Sequence, residues 1–212
     1  MKGRAFKLEL LLCGGFLGSG KTTLINKLLH GITEQGLTVA LIENEACQEG
    51  IDAALTGQEG IKVVPLFGGC VCCQLSGSLL ETVQKLEAEL SPDWVVVELT
   101  GLAMMDNIRE VFRMYAPKDL TARLHTLAVA DMARWDKLVL RMEPVIRRQL
   151  AGADTVVINK VDLQPPSPQT LAQIEALSPG AVILSMSAAS LSPAEVWTQV
   201  SKAFVSGKEC TE

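Results

Sequence analysis

The chain has 212 residues, 48% of them apolar and 20% charged, with a net charge of −5. That length suits one domain, and so large an apolar fraction at modest charge excludes disorder for the bulk of it. With 19 basic against 24 acidic side chains there is no general electrostatic drive toward nucleic acid or anionic lipid, so neither is expected as a partner.

Apolar runs such as Leu10–Cys13 and Trp94–Val97 have the length of strands, far short of the ~20 residues that a membrane helix needs. Lys2, Arg4 and Lys7 precede an apolar stretch, but Glu9 interrupts it and four glycines follow by Gly20, which reads as a first strand and not as a signal peptide. A cytoplasmic location is expected.

In chain order, strands are predicted at 7–13, 37–43, 61–65, 94–98, 124–130, 155–159 and 181–184. Helices are predicted at 21–32, 79–90, 106–115, 134–151, 170–177 and 193–204. Most of the strands are continuous apolar runs, as in a parallel sheet covered on both faces. The expected fold is α/β: a mainly parallel, doubly wound sheet of about seven strands in a three-layer α/β/α sandwich, forming a single domain over 1–212. Pro144 predicts a kink or a division within 134–151, and the three prolines of 164–169 predict a surface loop.

Gly15-Phe-Leu-Gly-Ser-Gly-Lys-Thr22 fits G-x-x-x-x-G-K-[ST] between a strand and a helix, the context that a phosphate-binding loop requires. Gly15, Gly18, Ser19 and Gly20 would turn backbone N–H groups toward phosphates. Lys21 would reach the β and γ phosphates, Thr22 would ligate Mg²⁺, and Thr23 would cap the helix or meet the α-phosphate. The competing reading is a glycine-rich turn without a ligand.

Cys70, Cys72 and Cys73 fall within four residues, after the strand at 61–65 and a Gly-Gly pair. In an extended segment Cys70 and Cys72 share a face, and a turn would add Cys73. Three thiolates select Zn²⁺ or Cu(I) over Mg²⁺ and leave one tetrahedral position open. A redox pair or plain packing is the alternative. Of the other cysteines, Cys13 is expected in the core and Cys210 in a frayed tail.

Glu98 ends a buried strand and would act on Mg²⁺ or the attacking water, with Gly101 suited to close approach at the γ-phosphate. In Asn159-Lys-Val-Asp162, the Asp162 carboxylate matches the N1–H and amino donors of guanine, which adenine lacks. Asn159 would brace the pocket, the Lys160 stem would lie along the base, and Ser187-Ala188 would supply a backbone N–H to it. Asp131, at a strand end, would face the nucleotide side. His125 reads as a satisfied edge residue, Met104 and Met105 as packing near a soft metal at most, and the three Trp as packing.

In order, GGFLGSGKTTLINKLL, LIENE, Gly50-Ile-Asp52, GGCVCC, VVVELTGLA and NKVD resemble the CobW-like branch of metal-handling GTPases, relatives of the urease and hydrogenase nickel-insertion GTPases, from about Leu8 to Phe204. The resemblance implies a P-loop GTPase that binds GTP and Mg²⁺, loads a transition metal (Zn²⁺ foremost, Co²⁺ or Ni²⁺ otherwise) and delivers it to a client metalloprotein or its maturation factor. It implies catalytic roles for Lys21, Glu98 and Asp52, with Glu43 and Asp52 in the first switch segment and Asp52 linked to Mg²⁺. Cys70, Cys72 and Cys73 would be the metal motif.

Slow turnover is expected because no arginine finger is evident, and pairing of two copies is a further expectation. Family members continue into a C-terminal, often His-rich domain, which is expected to be absent here. Where their switch reads Asn-Glu-Phe-Gly-Glu, this chain has Asn44-Glu-Ala-Cys-Gln48. Cys47 could therefore serve as a transient fourth metal ligand, or be a small residue tolerated in a loop. A GTP-dependent metal or redox sensor without delivery is the alternative function, and a nucleotide or small-molecule kinase, disfavoured by NKVD, is a third.

Overall fold

The computed structural model describes residues 7–44, 60–66, 72–101, 105–116, 122–206 and 208–209. In chain order the elements are β1 (Leu8–Gly15), α1 (Lys21–Thr33), β2 (Val39–Asn44), β3 (Ile61–Leu66), α2 (Cys72–Leu90), β4 (Trp94–Glu98) and α3 (Met105–Tyr115). They continue with β5 (Ala122–Asp131), a 3₁₀ turn (Met132–Arg134), α4 (Trp135–Leu150), β6 (Thr155–Asn159), α5 (Pro168–Leu177), β7 (Val182–Met186), α6 (Pro193–Val200), a second 3₁₀ segment (Ser201–Ser206) and β8 (Lys208–Glu209).

Seven parallel strands lie in the order β3-β2-β4-β1-β5-β6-β7, and β8 runs antiparallel beside Arg123–Leu124 at the start of β5. The expected doubly wound sheet is thus present. Alternation along β1 divides the core: Leu8, Leu10 and Leu12 pack against residues of α2 to α5, while Leu11 and Cys13 pack against α1 and α6. The apolar stripe of α1 (Leu24, Ile25, Leu28, Leu29 and Ile32) is fully buried. Burying both faces of β1 explains why its sequence does not alternate.

The strand order changes direction at β1. The chain leaves β1 for β2 on one side and later crosses from β4 to β5 on the other, so a crevice opens at the carboxyl ends of these strands. Register sets what lines it: Cys13 pairs with Glu98, Gly15 with Val129, and Asp131 with Asn159. At the opposite, amino edge, Trp94 stacks on His125 (centroids 5.7 Å apart) and meets Trp197 and Phe204, while His125 Nε2 lies 2.7 Å from Glu9 Oε2. All three Trp pack as expected, but His125 sits on an interior strand between β1 and β6, not at an edge.

Several boundaries depart from the sequence reading. Helix α2 begins at Cys72, seven residues before the predicted start. Ser76-Gly77-Ser78 reads as a poor helix, yet Leu79, Leu80, Val83 and Leu86 bury one face of α2, and packing outweighs propensity. Cys72 and Cys73 therefore lie on helical backbone, which corrects the extended segment expected at Cys72 and the turn expected at Cys73. Helix α5 starts inside the predicted loop because Ser167 caps it, accepting from Thr170 N–H, and Pro168 occupies the first turn. In α4 the backbone is non-helical at Met142 (φ −138°), two residues before Pro144, as the proline predicts.

Candidate functional site

The loop from Gly15 to Thr22 lies at the crevice, and its carbonyls are tied down one by one. Lys21 Nζ donates to Gly15 O (3.0 Å) and Phe16 O (3.4 Å), and Arg134 Nη2 to Leu17 O (2.7 Å). Lys160 Nζ donates to Gly18 O (2.7 Å) and Asn159 Nδ2 to Ser19 O (2.9 Å). Five consecutive carbonyls thus accept from side chains. Carbonyls turned toward side chains leave the N–H edge of such a loop for a ligand, the arrangement of a phosphate cradle.

Helix α1 opens directly from this loop without a side-chain cap on Gly20 and without an acidic residue in its first turn. Its first N–H groups and its dipole favour an anion at that end. Gly20 holds φ at 94°, and a Cβ there would fall 2.3 Å from Asn159 Nδ2, so only glycine permits the Asn159 contact.

Beside the loop, Thr22 Oγ1 donates to Glu98 Oε1 at 2.9 Å. Glu98 is buried, and burial pushes its carboxyl above the ordinary value, opposed by the Thr22 hydrogen bond and the Lys21 charge. Glu43, on β2, is also raised, first by burial and then by the charge of Glu98. A hydroxyl and carboxylates that lack full compensation make an oxygen-donor set suited to a hard divalent cation, so the residues fit Mg²⁺. Beneath them the Cys13 thiol is pushed up to about 12 by burial and the Glu98 charge, against a lowering effect of Lys21, which leaves it inert and, as expected, in the core.

On the other side of the loop, Asn159 Oδ1 accepts from Lys160 N–H and Ala188 N–H, both at 2.9 Å. The Ala188 N–H expected to meet a base is thus engaged in bracing Asn159. Lys160 adopts φ 64°, a left-handed turn rare for a side-chain-bearing residue, and its ammonium returns to the phosphate loop. Ser187 Oγ accepts from Asp162 N–H (2.9 Å) and donates to Asp162 Oδ1, which fixes the Asp162 carboxylate at the surface. Asp131 faces the site as expected: fully buried, it receives Arg134 Nε at 2.6 Å and Lys160 Nζ at 2.9 Å on Oδ2.

The structure therefore brings together Gly15, Gly18, Ser19, Gly20, Lys21, Thr22, Glu98, Asn159, Lys160, Asp162, Ser187 and Ala188. Thr23 is exposed. Cys47, Asp52, Cys70, Met104 and Cys210 lie outside the described residues, and Cys72 and Cys73 are described by their backbone alone. Arg134 escaped the sequence reading. Its only trace there is its spacing of three from Asp131 beyond a strand end, which acquires meaning once β5 is seen beside β1.

Residues 9–184 match the family described as CobW/HypB/UreG, nucleotide-binding domain. Among curated proteins, zinc chaperone YeiR of Escherichia coli is 34% identical over 169 residues, covering 76% of this chain and 49% of that protein. Zinc-regulated GTPase metalloprotein activator 1 of Dictyostelium discoideum is 30% identical over 183 residues, covering 77% and 38%. The chain thus spans half or less of the length of these two relatives. Hydrogenase maturation factor HypB from Archaeoglobus fulgidus shares the fold, with a TM-score of 0.60 at 20% identity over 92% of this chain and 89% of that one. The family match over residues 9–184, with the loop motif of 15–22 and the strand order in keeping with it, shows that the chain belongs to the CobW/HypB/UreG nucleotide-binding domain family.

Proposed function

We propose that the chain binds and hydrolyses GTP and uses the cycle to handle a transition metal. The observation that carries this reading is the direct tie between two motifs: Asn159 and Lys160 of NKVD hold the Ser19 and Gly18 carbonyls of the phosphate loop. Base recognition and phosphate binding then belong to one site. The Asp162 carboxylate, fixed by Ser187, supplies the paired acceptor that guanine satisfies and adenine does not.

Mg²⁺, held by Thr22 and Glu98 and by Asp52 as the family resemblance implies, would neutralise charge on the β and γ phosphates. Lys21 is already in place beside the loop and adds fixed positive charge there. Glu98, with a raised carboxyl, is suited to orient the attacking water and to accept its proton. Arg134 grips the Leu17 carbonyl of the loop, and slow turnover without a partner is proposed because the sequence offers no evident arginine finger.

For the metal, Cys70, Cys72 and Cys73 supply the thiolates and Cys47 a state-dependent fourth ligand. Zn²⁺ is the favoured cargo, in keeping with the names of the curated relatives, and delivery to a client metalloprotein is the proposed outcome. Zn²⁺ affinity of Cys47→Ala, measured with GDP and with a GTP analogue, tests the coupling. The reading requires the variant to lose the nucleotide dependence of affinity, and affinities equal to wild type in both states contradict it.

A further inference from the structure

Gly101 stands at the mouth of the phosphate loop, three residues beyond Glu98. A Cβ on Gly101 would fall 3.0 Å from Leu17 N, so the two backbones are in near contact. A glycine so placed has the widest choice of ψ of any residue, and something must fix it. That group is the side chain of Gln149 in the last turn of α4, whose Nε2 donates to Gly101 O.

Gln149 is 3% exposed and lines, with Gly15, Phe16, Asp131 and Trp135, a small cavity beneath the loop. A buried amide is tolerated only when hydrogen-bonded, so the Gly101 carbonyl is the partner that justifies a glutamine there.

The turn that follows Gln149 also seats the helix that follows Gly101. Gly152 makes room for Asp106, because a Cβ on Gly152 would lie 1.6 Å from Asp106 Oδ1. Asp154 Oδ2 accepts from Arg109 Nη2 at 2.5 Å and from Thr126 N–H at 3.1 Å, which pins α3 to β5. Residues 149–154 are thus a bed for Gly101 and α3, and its contact nearest the phosphate loop is Gln149.

We propose that Gln149 is a positioning residue. Through the Gly101 carbonyl it holds Gly101 against the phosphate loop, so that the site favours a nucleotide bearing a third phosphate and hydrolyses it. This rests on the GTP-hydrolysis reading above.

The test is made on the full chain with Gln149→Leu, which keeps bulk without a donor, and Gln149→Glu, which donates only when protonated. GDP affinity, affinity for a non-hydrolysable GTP analogue and single-turnover hydrolysis are measured together. Q149L is expected to bind GDP within about twofold of wild type, while analogue-over-GDP preference and hydrolysis rate fall about tenfold, the scale of one buried hydrogen bond. The rate of Q149E relative to wild type is expected to rise as pH is lowered from about 9 to about 6 while its GDP affinity relative to wild type stays level, a split that general loss of packing does not produce.

Unchanged preference and rate in Q149L overturn the proposal, as does a fall in GDP binding equal to the fall in rate. Should Q149L not fold, a flat Q149E ratio overturns it. A wild-type chain that hydrolyses no GTP would sink the functional reading, and the analogue-over-GDP preference would still judge Gln149.

Discussion

Thr22 and Glu98, 76 positions apart in sequence, share a hydrogen bond of 2.9 Å that joins the first turn of α1 to the end of β4. The bond is weaker compensation than a buried carboxylate needs, and Glu98 is accordingly held above the ordinary carboxyl value of 4.5. A raised folded-state value means that the folded protein binds this proton more tightly than the unfolded chain does. Stability from this group is therefore full below about 4.5 and is lost as pH rises through the higher folded value.

Glu98→Gln removes that loss. In metal-free, nucleotide-free protein at neutral pH the variant is expected to melt at or above wild type, where each ~1 kcal/mol corresponds to ~2–4 °C in a chain of this size. The same variant is expected to lose Mg²⁺-dependent nucleotide binding and hydrolysis. Calorimetric melting at several pH values checks the first expectation, and lower stability of the variant throughout would contradict it.

Asp131 gathers Arg134 and Lys160, and each of these cations holds one carbonyl of the phosphate loop. Arg134→Ala frees the Leu17 carbonyl and is expected to weaken GDP binding by ~1 kcal/mol, or several-fold. Asp131→Asn loosens both cations at once and is expected to cost more, ~1–3 kcal/mol, in nucleotide affinity and in stability. Isothermal titration with GDP ranks the two variants, and an Asp131 effect no larger than that of Arg134 would argue against a shared anchor.

The buried Cys13 thiol, pushed up to about 12, is almost wholly protonated near pH 8. In folded protein treated with an alkylating reagent at that pH, Cys13 is expected to stay unmodified, and denaturant is expected to expose it. Peptide mass mapping before and after unfolding gives the answer.

Much of this site was legible in the sequence because its chemistry is local. Gly15 to Thr22 and Asn159 to Asp162 each lie within a few residues of a strand end, and each fits a short motif read from spacing alone. The sheet was legible because strands buried on both faces, such as Trp94–Glu98 with every residue buried, read as unbroken apolar runs. Contacts between distant segments were not. Arg134 meets the loop across 117 positions and Gln149 meets Gly101 across 48, and neither motif nor periodicity marks such a pair. The start of α2 was misjudged because Ser76 to Ser78 are weak helix formers, and the burial of Leu79 and Val83 decides the matter only in the folded chain.

Competitive nucleotide titration in the presence of Mg²⁺ tests the central claim, that one site reads guanine and binds its phosphates. Wild type is expected to bind GTP, with ATP failing to compete at about 100-fold excess. Asp162→Asn, which replaces an acceptor facing the base by a donor, is expected to weaken GTP by ~1–3 kcal/mol and to improve binding of xanthosine triphosphate, whose ring presents a carbonyl there. Equal competition by ATP and GTP, or an Asp162→Asn variant with unchanged base preference, would contradict the account.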